Sequence, residues 1–309
     1  MYSKFAKIIS IAICIFIIPN SISAIDKSSL LNNLIKYSYP EIKVLDDNDD
    51  DIQQKNVKNT KQYVNVYIGE ENIPTISNQD NTDINLESAV YRQNSRVTSD
   101  KPQILIYHSH SCETYSDSPE GNYHSEDKEH SVMSVGCLLT NHLSDLGWGV
   151  VHSTTYHDSP TYNNSYIRSA ETIKSVMDKY DSVKVTIDLH RDGLNISNQR
   201  IKEDVHNKYT TTINGQRVAK FFFVVGARNS NLAEVKSLAD GITAYANKKY
   251  PDLIMPVVIK PYGRFNQSMS QNALLVEVGS NGTTTEEAQA SAKYLAEVLD
   301  GYFKNIKGE

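Results

Sequence analysis

The sequence predicts an α/β fold, a mostly parallel, twisted sheet flanked by helices, folded as a single domain over residues 101–309. Three observations predict it. Short apolar runs recur after Lys101, amphipathic segments with helical spacing lie between them, and several of the runs end abruptly in polar residues. Strands that alternate with helices imply a sheet covered on both faces, because each crossover lays a helix against it.

The runs are Gln103 to Tyr107, Gly149 to His152, Val183 to Leu189, Phe221 to Val225, Pro256 to Ile259 and Ala273 to Val278. Each has the length of a buried strand and little charge. In the first intervening segment Val132, Val135, Leu139, Leu143 and Leu146 recur at three and four residues, and Gly147 is placed to stop the helix. The last segment carries Ala288, Ala292, Leu295, Leu299 and Tyr302 on one face, and Thr284 with Glu287 makes a capping box at its start.

What precedes Lys101 has a different texture. Lys4 and Lys7, an apolar run from Ile8 to Ile18 and a small polar stretch ending at Ala24 give residues 1–24 the layout of a secretory signal or N-terminal membrane anchor. The run falls short of the ~20 apolar residues of a comfortable span. Residues 25–100, with an acidic tract from Asp46 to Asp51, bury too little apolar surface to offset the entropy of ordering and read as a polar spacer, with a short strand candidate at Tyr63 to Ile68. The chain is thereby expected to act outside the cytoplasmic membrane.

Three cysteines occur in 309 residues, and Cys14 falls within the signal, so Cys112 and Cys137 form at most one disulfide and the fold must rest on its own core. A net charge of −6 argues against nucleic acid as a partner, since a phosphate backbone needs a basic surface.

Ligands of open α/β sheets collect beyond the carboxyl ends of the strands, so the residues that terminate the runs are the ones to inspect. Tyr107 leads into His108, Ser109, His110, Ser111, Cys112 and Glu113; Leu189 into His190, Arg191 and Asp192; and the last run contains Glu277. A catalytic zinc takes three protein ligands from His and carboxylate and keeps a fourth position for water. Two histidines from separate strands and a carboxylate meet that need. His108 and His110 differ by two, so on an extended strand they face the same side and one suffices. Glu277, inside an apolar strand, suits a general base, because an ionised carboxylate there is costly unless a cation or hydrogen bonds hold it. Its bland alternative is pairing with Arg191 or Arg264. Cys112 is a rival nucleophile only as a thiolate. Arg191, Asp192, Arg228 and Asn266 are candidates for lining a groove, or ordinary solvated loop residues.

The segments ILIYHSHSCETY, VTIDLHRDG, FFVVGARNSN and FNQSMSQNALLVEVGSNGTTTEEA, in that order, resemble the stage II sporulation protein P family of cell-wall hydrolases from spore-forming Firmicutes, and more distantly zinc N-acetylmuramoyl-L-alanine amidases. The resemblance runs from Lys101 to the C-terminus. It implies a zinc-dependent amidase domain over residues 101–309, with His110 and His190 as zinc ligands and Glu277 as the catalytic carboxylate. The remaining ligand it implies is a Glu between the two histidines. Glu113 is the choice here, and Glu126 and Glu129 stay candidates, because the Gly pair that follows the first His in the wider group is missing.

The resemblance further implies cleavage of the bond between N-acetylmuramic acid and L-alanine of peptidoglycan and a second, endopeptidase activity on cross-links, in septal remodelling during engulfment. Its implied partners are a lytic transglycosylase like stage II sporulation protein D and a membrane-associated engulfment complex. A zinc carboxypeptidase, suggested by the His110-x-x-Glu113 spacing, and a wall-binding module without chemistry are the competing readings.

Overall fold

The computed structural model describes residues 95–307. The expected signal, all but the last six residues of the expected spacer and the strand candidate at Tyr63 to Ile68 lie outside the described residues. Among the described residues no helix is long and apolar enough to cross a membrane.

In chain order the elements are β1 (Ser95–Val97), β2 (Ile104–Tyr107), α1 (Val132–Asp145), β3 (Val150–Ser153), α2 (Ser165–Lys179), β4 (Val185–Asp192), α3 (Gln199–Tyr209), β5 (Thr210–Ile213), β6 (Gln216–Ala219), β7 (Phe221–Gly226), α4 (Leu232–Lys249), β8 (Val258–Lys260), β9 (Asn272–Ser280) and α5 (Thr285–Lys307). Seven strands form one sheet in the order β1-β3-β2-β4-β9-β7-β8, and β5 with β6 makes a separate hairpin. Four neighbouring pairs are parallel and two, β1–β3 and β7–β9, are antiparallel. The mostly parallel sheet expected from the sequence is the one observed.

The two-residue period of a strand divides the core into two sides. Ile104 and Ile106 of β2, Val185, Ile187 and Leu189 of β4, and Leu274, Val276 and Val278 of β9 join α1, α4 and α5 in the main core. Fully burying each such side chain contributes about 1.5–3 kcal/mol before entropy is counted. Leu105 and Tyr107 pack on Ile173 of α2 on the other side, and Leu275 joins Tyr209, Phe222 and Phe265. Asp188, His190 and Glu277 fall, by the same alternation, on this second side.

Helix boundaries follow their chemistry. Gly147 adopts φ +94, which no side-chain-bearing residue takes cheaply, and its N–H closes on the Ser144 carbonyl as α1 ends. At the start of α5 the Thr284 hydroxyl accepts from the Glu287 N–H (3.3 Å) while the Glu287 carboxylate accepts from the Thr284 N–H (2.9 Å), the capping box read from the sequence. The sheet also begins before the change of texture at Lys101. β1 is an exposed edge strand, so no buried run marks it.

Candidate active site

The central strands β2, β4 and β9 bring the expected residues together at their carboxyl ends. β2 stops at Tyr107 and the chain enters a turn. His108 and His110 therefore do not share a face as an extended strand would require. His108 is wholly buried; its Nδ1–H donates to the Leu189 carbonyl (2.8 Å), which leaves Nε2 to accept from His152 Nε2–H (2.9 Å). Both ring nitrogens are used in packing. His110 instead meets His190 edge to face, with ring centroids 5.0 Å apart.

β4 runs to Asp192, three residues beyond the end expected at Leu189. His190 is consequently inside the sheet, paired in register with Glu277 of β9. Residues directly opposite on parallel neighbours point the same way, so the imidazole and the carboxyl stand side by side on the face that α1, α4 and α5 leave to other elements.

Glu113 comes from the turn after β2, and its two oxygens reach both histidines. Oε1 lies 3.5 Å from His110 Nδ1 and Oε2 3.3 Å from His190 Nδ1. One ligand atom from each of the three buried residues falls within 4.8 Å of the others. Tetrahedral ligands on metal bonds of about 2.0–2.2 Å sit roughly 3.3–3.6 Å apart, so these separations suit a zinc-sized cation with little adjustment. Glu126 and Glu129 are exposed, and Glu126 accepts from the Ser159 hydroxyl, away from this group.

His190 stands between Glu113 and Asp188, whose Oδ1 is 2.8 Å from His190 Nε2. Burial would lower the pKa of His190, but the two carboxylates outweigh it and raise it well above the ordinary value. Burial likewise opposes ionisation of Glu113, yet His190 and Arg191 hold its pKa well below the usual carboxylate range. A metal ion in place of the His190 proton satisfies the same two carboxylates. Asp188 is itself fixed by the Ser109 N–H (2.8 Å) and hydroxyl (2.7 Å).

Glu277 differs. Burial, joined by repulsion from Asp192 and Glu113 and opposed by His190 and Arg191, raises its pKa well above the usual range. Its Oε2 is buried with no hydrogen-bond partner among the described residues. A carboxyl oxygen without a partner beside a group of candidate metal ligands marks a position to consider for proton transfer. Cys112, by contrast, is disfavoured as a nucleophile, because burial and the Asp158 charge push its pKa up and away from the thiolate that role needs. Cys112 and Cys137 are both free, so the disulfide allowed by their number does not form.

The four expected groove residues separate. Arg191 is buried, with its own N–H on Glu113 Oε2 (3.0 Å) and its Nε–H on the Thr114 carbonyl (3.0 Å). Asp192 accepts from the Tyr209 hydroxyl. Asn266 donates to the Tyr166 carbonyl (2.8 Å) at the edge of the site, and Arg228 lies over the Tyr262 ring. Two neighbours were missed. Asp188 is two residues from His190, and strand alternation alone would have placed it there. Tyr162, stacked on His110 at 4.5 Å with its hydroxyl 3.3 Å from Nδ1, comes from a loop without any sequence signal.

The model of the family described as stage II sporulation protein P matches residues 21–300, which takes in most of the stretch that contributed no motif to the sequence resemblance. The curated stage II sporulation protein P of Bacillus subtilis (strain 168) is 30% identical over 217 residues, covering 66% of this chain and 52% of that protein. The chain thus spans about half the length of that relative. Among solved structures, an N-acetylmuramoyl-L-alanine amidase from Clostridium difficile 630 aligns at a TM-score of 0.42 and 16% identity, over 68% of this chain and 99% of that one. The CwlD amidase from Clostridioides difficile, solved with the GerS lipoprotein, aligns at 0.44 and 10%, over 65% and 98%.

Proposed function

Because this chain belongs to the stage II sporulation protein P family, we propose that it is an exported, zinc-dependent peptidoglycan hydrolase that cuts the amide between N-acetylmuramic acid and L-alanine. The observation that carries the reading is the convergence of one ligand atom each from His110, Glu113 and His190 within 4.8 Å of one another, beside Glu277, whose Oε2 is buried without a hydrogen-bond partner among the described residues. These three residues would hold the ion. Zinc bound there supplies a Lewis acid and lowers the pKa of a bound water.

The remaining steps belong to the chain's own groups. Glu277 takes the proton from the attacking water and returns it to the departing L-alanine nitrogen. Asp188 orients His190, and Arg191 holds Glu113 through its backbone N–H. Tyr162 packs His110 in place.

Cross-link endopeptidase activity, septal remodelling during engulfment and association with a lytic transglycosylase like stage II sporulation protein D in a membrane-associated complex are part of this proposal and rest on the family. So do the signal or anchor of residues 1–24 and the spacer that follows. A zinc carboxypeptidase would use the same three ligands but leave the sugar linkage intact, and a wall-binding module would need no metal.

The test is metal analysis of single variants alongside wall hydrolysis. His110→Ala, His190→Ala and Glu113→Ala should each lose one equivalent of zinc and all activity, whereas Glu126→Ala and Glu129→Ala should keep both. Undiminished zinc content together with retained activity in either histidine variant would overturn the site.

A further inference from the structure

We propose that Cys112, His124 and Asp158 form a second metal site, for a thiophilic divalent cation of the zinc type, which ties the loop before α2 to the turn that carries Glu113. One donor atom from each of the three lies within 4.8 Å of the others, and no residue is shared with the His110, Glu113 and His190 group. Cys112 and Asp158 are buried, whereas His124 has an exposed ring. His124 Nε2 is 3.0 Å from Asp158 Oδ2, and both Asp158 oxygens accept from the Cys112 N–H, at 3.1 and 3.2 Å.

A simpler account has Asp158 merely capping a turn and pairing with a surface histidine. That account uses the backbone of residue 112, which any amino acid supplies, and leaves the thiol without purpose. A thiol is a weak hydrogen-bond donor, and a carboxylate already served by two N–H groups gains little from it. As donors, however, sulfur, imidazole nitrogen and carboxylate oxygen together are the set that zinc takes, and the sulfur disfavours magnesium and calcium. The thiol releases its proton to solvent as the cation binds, and the carboxylate that otherwise repels a thiolate becomes its fellow ligand. Three protein donors leave a fourth position for water on the exposed side of His124.

The placement gives the cation work to do. Cys112 precedes Glu113 in sequence, and His124 pairs with Glu113 through the backbone. Asp158 belongs to the loop that four residues later stacks Tyr162 on His110. A cation among them holds two walls of the proposed active site in register, without touching its ligands.

Cobalt distinguishes the two sites, because only a thiolate ligand gives a sulfur-to-cobalt charge-transfer band in the near ultraviolet. The full chain carrying Cys14→Ser and Cys137→Ser, which removes the other thiols, is titrated with cobalt after chelation. The expected result is about two equivalents bound, the occupancy of two mononuclear sites, with a charge-transfer band that disappears on adding Cys112→Ser. His110→Ala with His190→Ala should remove one equivalent and leave the band; if it removes none while the band persists, the first site fails and the second stands. Should Cys112→Ser misfold, His124→Ala keeps the thiol, alters an exposed side chain and should weaken the band's cobalt affinity at least tenfold, the lower end of the loss seen even for outer-shell changes. A saturated protein without the band overturns the proposal, as does a band whose affinity is unchanged in His124→Ala.

Discussion

Gly136, in the middle of α1, offers a sharp test of how the histidine cluster behind the site is packed. On propensity alone Gly136→Ala should stabilise the helix by about 1 kcal/mol. The fold reverses the sign. A Cβ at this position would stand 2.7 Å from His152 Nε2 and 2.9 Å from both Cε1 and Nε2 of His108, against a normal contact of roughly 3.5 Å or more. Both rings are buried, and they are bonded to each other at 2.9 Å. Relief requires either a shift of α1, an overpacking cost of about 1–3 kcal/mol, or rotation of a ring, which leaves a buried donor and acceptor unpaired at about 1–3 kcal/mol each. Set against the propensity gain, the expected net is a loss of up to about 2 kcal/mol if α1 shifts and about 1–5 kcal/mol if a ring rotates, or roughly 2–4 °C of Tm for each kcal/mol in a domain of this size. Urea denaturation of wild type and variant measures it. In a His152→Ala background the methyl has room, so the same substitution should cost less by at least about 1 kcal/mol, as contacting residues couple. A Gly136→Ala protein as stable as wild type or more so would refute the packing described.

Other predictions concern protons. Glu277→Gln keeps shape and hydrogen bonding but takes no proton, so zinc should remain bound while kcat falls about 10²- to 10⁴-fold and the acidic limb of the pH–rate profile vanishes; loss of zinc would make Glu277 a ligand instead. His157 is buried, and burial lowers its pKa to about 4 despite its bond to the His108 carbonyl (2.7 Å). The unfolded chain takes up that proton from about pH 6.5 downward and the folded chain does not until about pH 4, so the group's contribution is full above 6.5 and drains away as pH falls. Wild type should therefore lose about 2–3 kcal/mol relative to His157→Gln between pH 7 and 4.5; a difference in stability that does not vary with pH contradicts this. Tyr162→Phe keeps the ring on His110 and removes the hydroxyl near Nδ1, so zinc content should hold, and a fall in kcat without a rise in KM would place the hydroxyl at the chemistry.

What the sequence revealed depends on how each element meets the core. β2, β4 and β9 are continuous buried runs, and α1 and α5 carry apolar stripes, so period and length betray them. α2 packs through Ser165, Ser169, Thr172 and Ile173 with Val176 and Met177 half-buried beside them, and α3 buries only Tyr209, so polar residues break up the apolar face of each. β1 and β8 are short exposed edges. In the site, Glu277 draws attention because an ionisable group in an apolar strand is costly, and His190 because it ends an apolar run. Their pairing in register is a property of the sheet. The roles of His108 and His110 could not be separated by alternation, since the strand that would have made them equivalent ends at Tyr107, before either of them.

Mass spectrometry of the soluble products released from purified peptidoglycan tests the central claim most directly. Amidase action predicts free stem peptides that begin with L-alanine, and glycan strands whose N-acetylmuramic acid has a free lactyl carboxyl, all abolished by chelation and restored by zinc. Products in which every N-acetylmuramic acid still carries its L-alanine, or the same products from a verified metal-free protein, would contradict it.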